Sequence, residues 1–170
     1  MCIRDRIKGG QQERGRRAGT ENVPGIVGLA VALALAVEQL PEVRPRLESL
    51  RDKLSAGVLE RIPEVTYLGH PTQRLPGNVA FSVRYVEGES MLLQLDAQGF
   101  MVSSGSACAS GSLEPSHVVL ALGLRAEEAH GSMRISLGRE NTEEEVDAFL
   151  DAFPPIVDKL RQMSPLYVKG

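Results

Sequence analysis

The chain has 170 residues, 42% hydrophobic and 24% charged, with a formal charge of −3 and a pI near 5.7. That length fits one ordinary domain, or a small domain with part of a neighbour, and the composition supports a real core. Mild acidity leaves no footprint for nucleic acid or an anionic membrane, and two distant cysteines form no disulfide framework, so a reducing, cytoplasmic setting is expected.

"MCIRDRIKGG" opens the chain with neither a capping signal nor a hydrophobic period. Residues 1–8 are expected to be a foreign tail similar to translated adaptor sequence, with Cys2 idle and the chain starting inside a larger protein. A Gly- and Arg-rich loop runs to Pro24. Apolar residues then fall at Ile26, Leu29, Ala30, Leu33, Ala34, Val37 and Leu40, a helical spacing with Pro24 as its start signal. The apolar run at 26–37 is short of the ~20 residues that a bilayer span needs. Pro41 and Pro45 predict a break, and a second helix is expected over 46–62, with Leu47, Leu50, Leu54, Val58 and Leu59 on one side.

"VTYLG" predicts a short strand, and 77–86 alternates Val79, Phe81, Val83 and Tyr85 against small or polar neighbours as a half-buried strand does. "ESMLLQLDAQG" predicts a helix with Gly99 just past its end. "FMVSS" predicts a third strand, and Pro115 opens the helix "PSHVVLALG". In "SMRISLG", Met133, Ile135 and Leu137 share one face of a fourth strand and Arg134 takes the other. Thr142 and Glu145 form a capping box for a closing helix that Pro154 and Pro155 should kink or restart. The pattern is α/β: about four strands packed with helices.

The segment "SSGSACASGS" places Cys108 among residues with little apolar surface to bury. An inert thiol in a linker and a reactive thiol both fit that composition. The position between a strand and a capped helix favours the reactive reading, since a thiolate needs access and a helix N-terminus nearby would lower its pKa. His70, His117 and His130 stand at scattered spacings, so no metal site is expected. Arg134 suits either a solvated strand position or the bidentate capture of a carboxylate. In "GGQQERGRRAGTENVPG", glycines allow close backbone approach, and Gly19-Thr20 with Arg14, Arg16 and Arg17 would make a phosphate corner.

"GGQQERGRRAGTENV", "SSGSACASGSLEPSHVVLALGL" and "SMRISLGRENTEEEVDAF" together resemble the C-terminal part of cysteine desulfurases, pyridoxal-phosphate enzymes of the class V aminotransferase group. The resemblance runs from Gly9 to about Phe153. The cysteine segment is similar to that of the long-loop group, which serves nitrogenase and general iron–sulfur assembly. It implies the C-terminal small domain of a fold-type-I transferase, preceded by a long interdomain helix: 9–45 would close the large cofactor domain and include that helix, and 46–170 would be the small domain. It implies that Cys108 is the catalytic cysteine and accepts sulfur from L-cysteine as a persulfide, leaving alanine. By the same resemblance Gly19 and Thr20 contact the phosphate of pyridoxal 5′-phosphate in the neighbouring subunit of a homodimer, and Arg134 holds the substrate carboxylate. Arg14 to Arg17 lie where related enzymes dock a sulfur acceptor or scaffold protein.

One departure is modest: three glycines in the family become Gly9, Gly10 and Gln11 here. The lysine that binds the cofactor lies upstream in the family, and Lys8, Lys53, Lys159 and Lys169 do not match its context, so these residues alone are expected to be inactive. Another class V aminotransferase or lyase, or a sulfur-relay module without cofactor, remain the competing functions. Neither nucleic acid nor membrane is expected as a partner.

Overall fold

The computed structural model describes residues 7–105 and 115–167. The chain divides into two compact units, 1–41 and 42–170.

In the first unit the single turn α1 (Gln12–Gly15) is not a regular α-helix, because Glu13, Arg14 and Gly15 all have positive φ (51°, 57° and 75°). A 39-residue helix, α2 (Val23–Arg61), begins here, and Asn22 Oδ1 accepts from Gly25 N at its start. Its helical hydrogen bonding continues past Pro41 and Pro45, where the sequence predicts a break. Each proline removes one backbone donor, but good helix formers flank them and the remaining ladder holds. Val23, Ile26, Val27, Leu29, Val31, Leu33, Leu35, Val37 and Leu40 are exposed around its circumference. The continuous helix extends the apolar stretch beyond the run at 26–37, and by length and composition alone it is sufficient to cross a membrane.

The second unit is built on a four-stranded antiparallel sheet in the order β1-β2-β4-β3, from β1 (Val65–Tyr67), β2 (Asn78–Val83), β3 (Ser103–Ser104) and β4 (Ser132–Ser136). Side chains alternate across a pleated sheet, so the register sorts them into two faces. Val79, Phe81, Val83, Met133 and Ile135 face a core shared with Leu50, Leu54 and Val58 of α2, Met91 and Leu95 of α3 (Gly88–Asp96), and Phe149, Phe153 and Val157 of α6 (Glu143–Met163). Each such side chain contributes roughly 1.5–3 kcal/mol by leaving water. Leu59, placed on that apolar side by its spacing, is instead exposed.

The opposite face carries a smaller cluster of Leu68, Val119 and Ala129, with Ala80 and Leu124 against it, supplied in part by α4 (His117–Ala121) and α5 (Ala126–Ala129). Helix α3 ends as its glycine predicts: Phe100 N donates to Leu95 O and Gly99 N to Asp96 O, with Gly99 at φ +86°. Helix α6 starts on the predicted box, Glu145 N donating to Thr142 Oγ1 and Thr142 N to Glu145 Oε2. It does not restart at Pro154. Pro154 cannot donate to Leu150 O, and Arg61 Nη1 donates there instead at 2.9 Å, so the freed acceptor keeps a partner.

Candidate functional site

Arg134 sits in the middle of β4, the central strand beside β2 and β3. Its neighbours across the ladder are Ala80 on one side and Ser103 on the other, so the guanidinium is flanked by small residues. Ser132 and Ser136 share its face, and Ser82 opposes Ser132. Arg134 is half-buried and makes no ion pair or side-chain hydrogen bond among the described residues. A half-desolvated guanidinium with no side-chain partner among the described residues has the chemistry to receive a carboxylate, to which it can offer two parallel N–H donors.

The frame around it is tied by polar groups. Ser82 Oγ donates to Glu128 O at 2.5 Å, fastening α5 to β2. Arg125 donates from its side chain and its backbone to Glu128, and these bonds hold the Glu128 carboxyl below the usual carboxylate range. Arg74 stacks over the Tyr67 ring at 4.1 Å and donates to Leu68 O, closing the turn before β2.

The phosphate corner read from the sequence lies in the first unit. Gly19, at φ +103°, donates its N–H to Gln12 Oε1 and accepts from Arg17 Nη1. Thr20 is exposed, and its hydroxyl has no hydrogen bond among the described residues. Arg14, Arg16 and Arg17 are exposed and form no ion pair among them either, which leaves a hydroxyl and three cations open to an anion.

Cys108 lies outside the described residues. Strand β3 ends at Ser104, and the described residues resume at Pro115, with Ser116 buried at the start of α4. His117 is exposed on α4, and His70 is exposed with its Nδ1 accepting from the Thr72 and Gln73 backbone. Among the described residues no group of three His, Cys, Asp or Glu side chains could hold a metal ion. A groove of about 530 Å³ near the end of α6, lined by Tyr85, Val86, Leu160, Met163 and Leu166, contains none of the singled-out residues.

The sequence reading passed over Ser103, Ala80 and Ser132 as site neighbours. Only the spacing Ser132, Arg134, Ser136 signalled a polar face; the partners on β2 and β3 follow from register, which sequence alone does not give.

The family model for aminotransferase class-V matches residues 3–149. The chain belongs to that family. Among the curated class-V relatives, cysteine desulfurase IscS of Methanosarcina thermophila is 56% identical over 163 residues, 96% of this chain and 40% of its own length. Cysteine desulfurase NifS of Azotobacter vinelandii is 48% identical, over 97% of this chain and 41% of its own. A solved NifS-like protein from Rickettsia africae superposes with a TM-score of 0.77 at 33% identity, over 90% of this chain and 39% of that one. A second solved NifS-like protein gives 0.75 at 38% identity. The chain thus spans about two-fifths of the length of the class-V relatives it matches, and its α/β fold is theirs.

Proposed function

We propose that this chain supplies the small C-terminal domain, and the cysteine, of a pyridoxal-phosphate-dependent cysteine desulfurase. The reading is carried by identity to curated proteins of that name along almost the whole chain. The Arg134 guanidinium, without an ion pair among the described residues and on the small-residue face of β4, supports it independently, because an amino-acid substrate brings a carboxylate to be held.

The residues present fit the cofactor's phosphate: Thr20 offers an unused hydroxyl beside the Gly19 turn, in a segment whose arginines have no anionic partners among the described residues. Gly19 and Thr20 would hold it, reaching from one subunit of a homodimer into its partner. Pyridoxal 5′-phosphate, when bound, supplies the electron sink that loosens the bond between carbon and sulfur. Arg134 orients the substrate through its carboxylate. The Cys108 thiolate attacks the substrate sulfur; a sulfur–sulfur bond forms as the carbon–sulfur bond breaks, and its electron pair passes to carbon. Protonation there gives L-alanine, and Cys108 keeps the sulfur as a persulfide. The persulfide then passes to an acceptor for iron–sulfur cluster or thiocofactor assembly, in a cytoplasmic setting and without nucleic acid or membrane.

The test is made on the polypeptide completed to the length of its relatives. With L-cysteine and a reductant it should release alanine and sulfide in equal amounts, and Cys108→Ser should abolish both while leaving cofactor absorbance intact. A Cys108→Ser protein that still turns over would remove Cys108 from the reaction. No alanine from the unmodified protein would end the desulfurase reading.

A further inference from the structure

We propose that Gly105 and Ser132 form an anchor that fixes where the backbone leaves the sheet toward Cys108, and that they are positioning residues for the sulfur-accepting thiol. The inference rests on the desulfurase reading above. A Cβ placed on Gly105 would stand 2.7 Å from Ser132 Oγ, 3.2 Å from Val119 Cγ2 and 3.4 Å from Ser132 Cβ. Ordinary separation of non-bonded carbons is ~3.5–4.0 Å, so a Cβ here would make Ser132 and Val119 give way. The φ of Gly105 is not in the left-handed region; closeness, not backbone conformation, requires the glycine.

Both partners are fixed. Ser132 is 5% exposed and Val119 3%. The start of β4 is gripped from two further sides: a Cβ on Gly88 would meet Ser132 O at 2.8 Å and His130 O at 2.9 Å, and one on Gly131 would run into Val83 O. Gly88 N donates to His130 O and Val83 N to Gly131 O, so α3 and β2 tie down the same three residues. Val119 lies in the first turn of α4, shortly after Ser116, where the chain re-enters. Gly105, the last described residue before the cysteine segment, and the first turn of α4 after it therefore meet at the Gly105–Ser132–Val119 contact. A thiol three residues beyond Gly105 inherits any displacement of that root, and a misplacement of about 1 Å at a reacting group can cost ~100-fold in rate.

The contact yields a suppressor test, because the closest atom is one that a substitution removes. In the completed enzyme, Gly105→Ala should lower kcat for alanine formation by about tenfold or more with little change in KM for cysteine, since Arg134 is not moved. In a Ser132→Ala background the 2.7 Å contact is gone, and adding Gly105→Ala should cost less than about twofold. Alkylation of Cys108 by iodoacetamide, measured without substrate, should change in rate with Gly105→Ala and return in the double variant. Equal losses in both backgrounds, or a Gly105→Ala enzyme within about twofold of the unmodified one, would overturn the anchor. Should Gly105→Ala fail to fold alone yet fold with Ser132→Ala, the contact is established; failure to fold in both removes it. An unmodified enzyme that makes no alanine defeats the desulfurase reading instead, and the alkylation rates still decide the anchor.

Discussion

Gly57, in the interior of α2, lies against Leu150 of α6, and Gly57→Ala sets two known effects against each other. Alanine is favoured over glycine in a helix by about 0.8–1 kcal/mol, which alone would make the variant more stable. A Cβ there, however, would stand 2.6 Å from Leu150 Cδ1 and 2.7 Å from Cδ2. Leu150 is 3% exposed and sits in the main core with Leu54, Val58 and Phe153, so its methyls have little room to retreat. Forcing an extra methyl into a packed core costs about 1–3 kcal/mol. Packing wins, for a net loss of about 1 kcal/mol. Leu150→Ala should cost about 2–5 kcal/mol by opening a cavity. The double variant should then lose at least about 1 kcal/mol less than the sum, because the methyl introduced at position 57 enters the vacated space. Urea unfolding of all four proteins reads the cycle from their midpoints. A Gly57→Ala protein about 1 kcal/mol more stable than the original would show that propensity decides and that the helices are not this close.

Two further outcomes concern the start of α6. Thr142→Ala removes the oxygen that accepts from Glu145 N and should cost about 1 kcal/mol, read as a lower urea midpoint, with Thr142→Ser close to the original. The Glu145 carboxyl is held below its ordinary value by hydrogen bonds from the Asn141 side chain and then the Thr142 backbone. A depressed acid stabilises the fold above its unfolded value, near about pH 4.3, and that contribution is lost as pH falls through the folded value. An NMR titration of Glu145 should give a midpoint below the usual carboxylate range, rising toward it in Asn141→Ala; an ordinary midpoint in the unmodified protein refutes the assignment.

The strands and caps were legible because each rests on local chemistry. Alternation at 79–83 and 133–137, Gly99 past α3, and the Thr142–Glu145 box all act within a few residues. The break expected at Pro41 and the restart expected at Pro154 are absent for a complementary reason. A proline's local penalty is visible in sequence, but what offsets it at Pro154 is Arg61, 89 residues away from the carbonyl that it satisfies. Leu59 was misplaced by the same kind of gap: it fits the helical spacing of Leu50 and Leu54, but the packed stripe of α2 passes it by. At the site, Arg134 could be singled out because a cation interrupts an apolar strand. Its setting between Ala80 and Ser103 could not, since pairing partners depend on register across the sheet.

The glycines sharpen the distinction between softness and closeness. Composition makes Gly105 one more small residue in a permissive run, and nothing in "SSGSACASGS" separates it from Gly111. The structure gives Gly105 a close neighbour, Ser132, on the strand that also carries Arg134. On the desulfurase reading, the proposed carboxylate receptor Arg134 and the proposed anchor Ser132 are two residues apart on one strand. If that reading holds, β4 would set the substrate's anchor and the start of the cysteine segment in a common frame. Closeness to β4, rather than softness, is then what the proposed anchor asks of Gly105, and composition cannot tell the two apart.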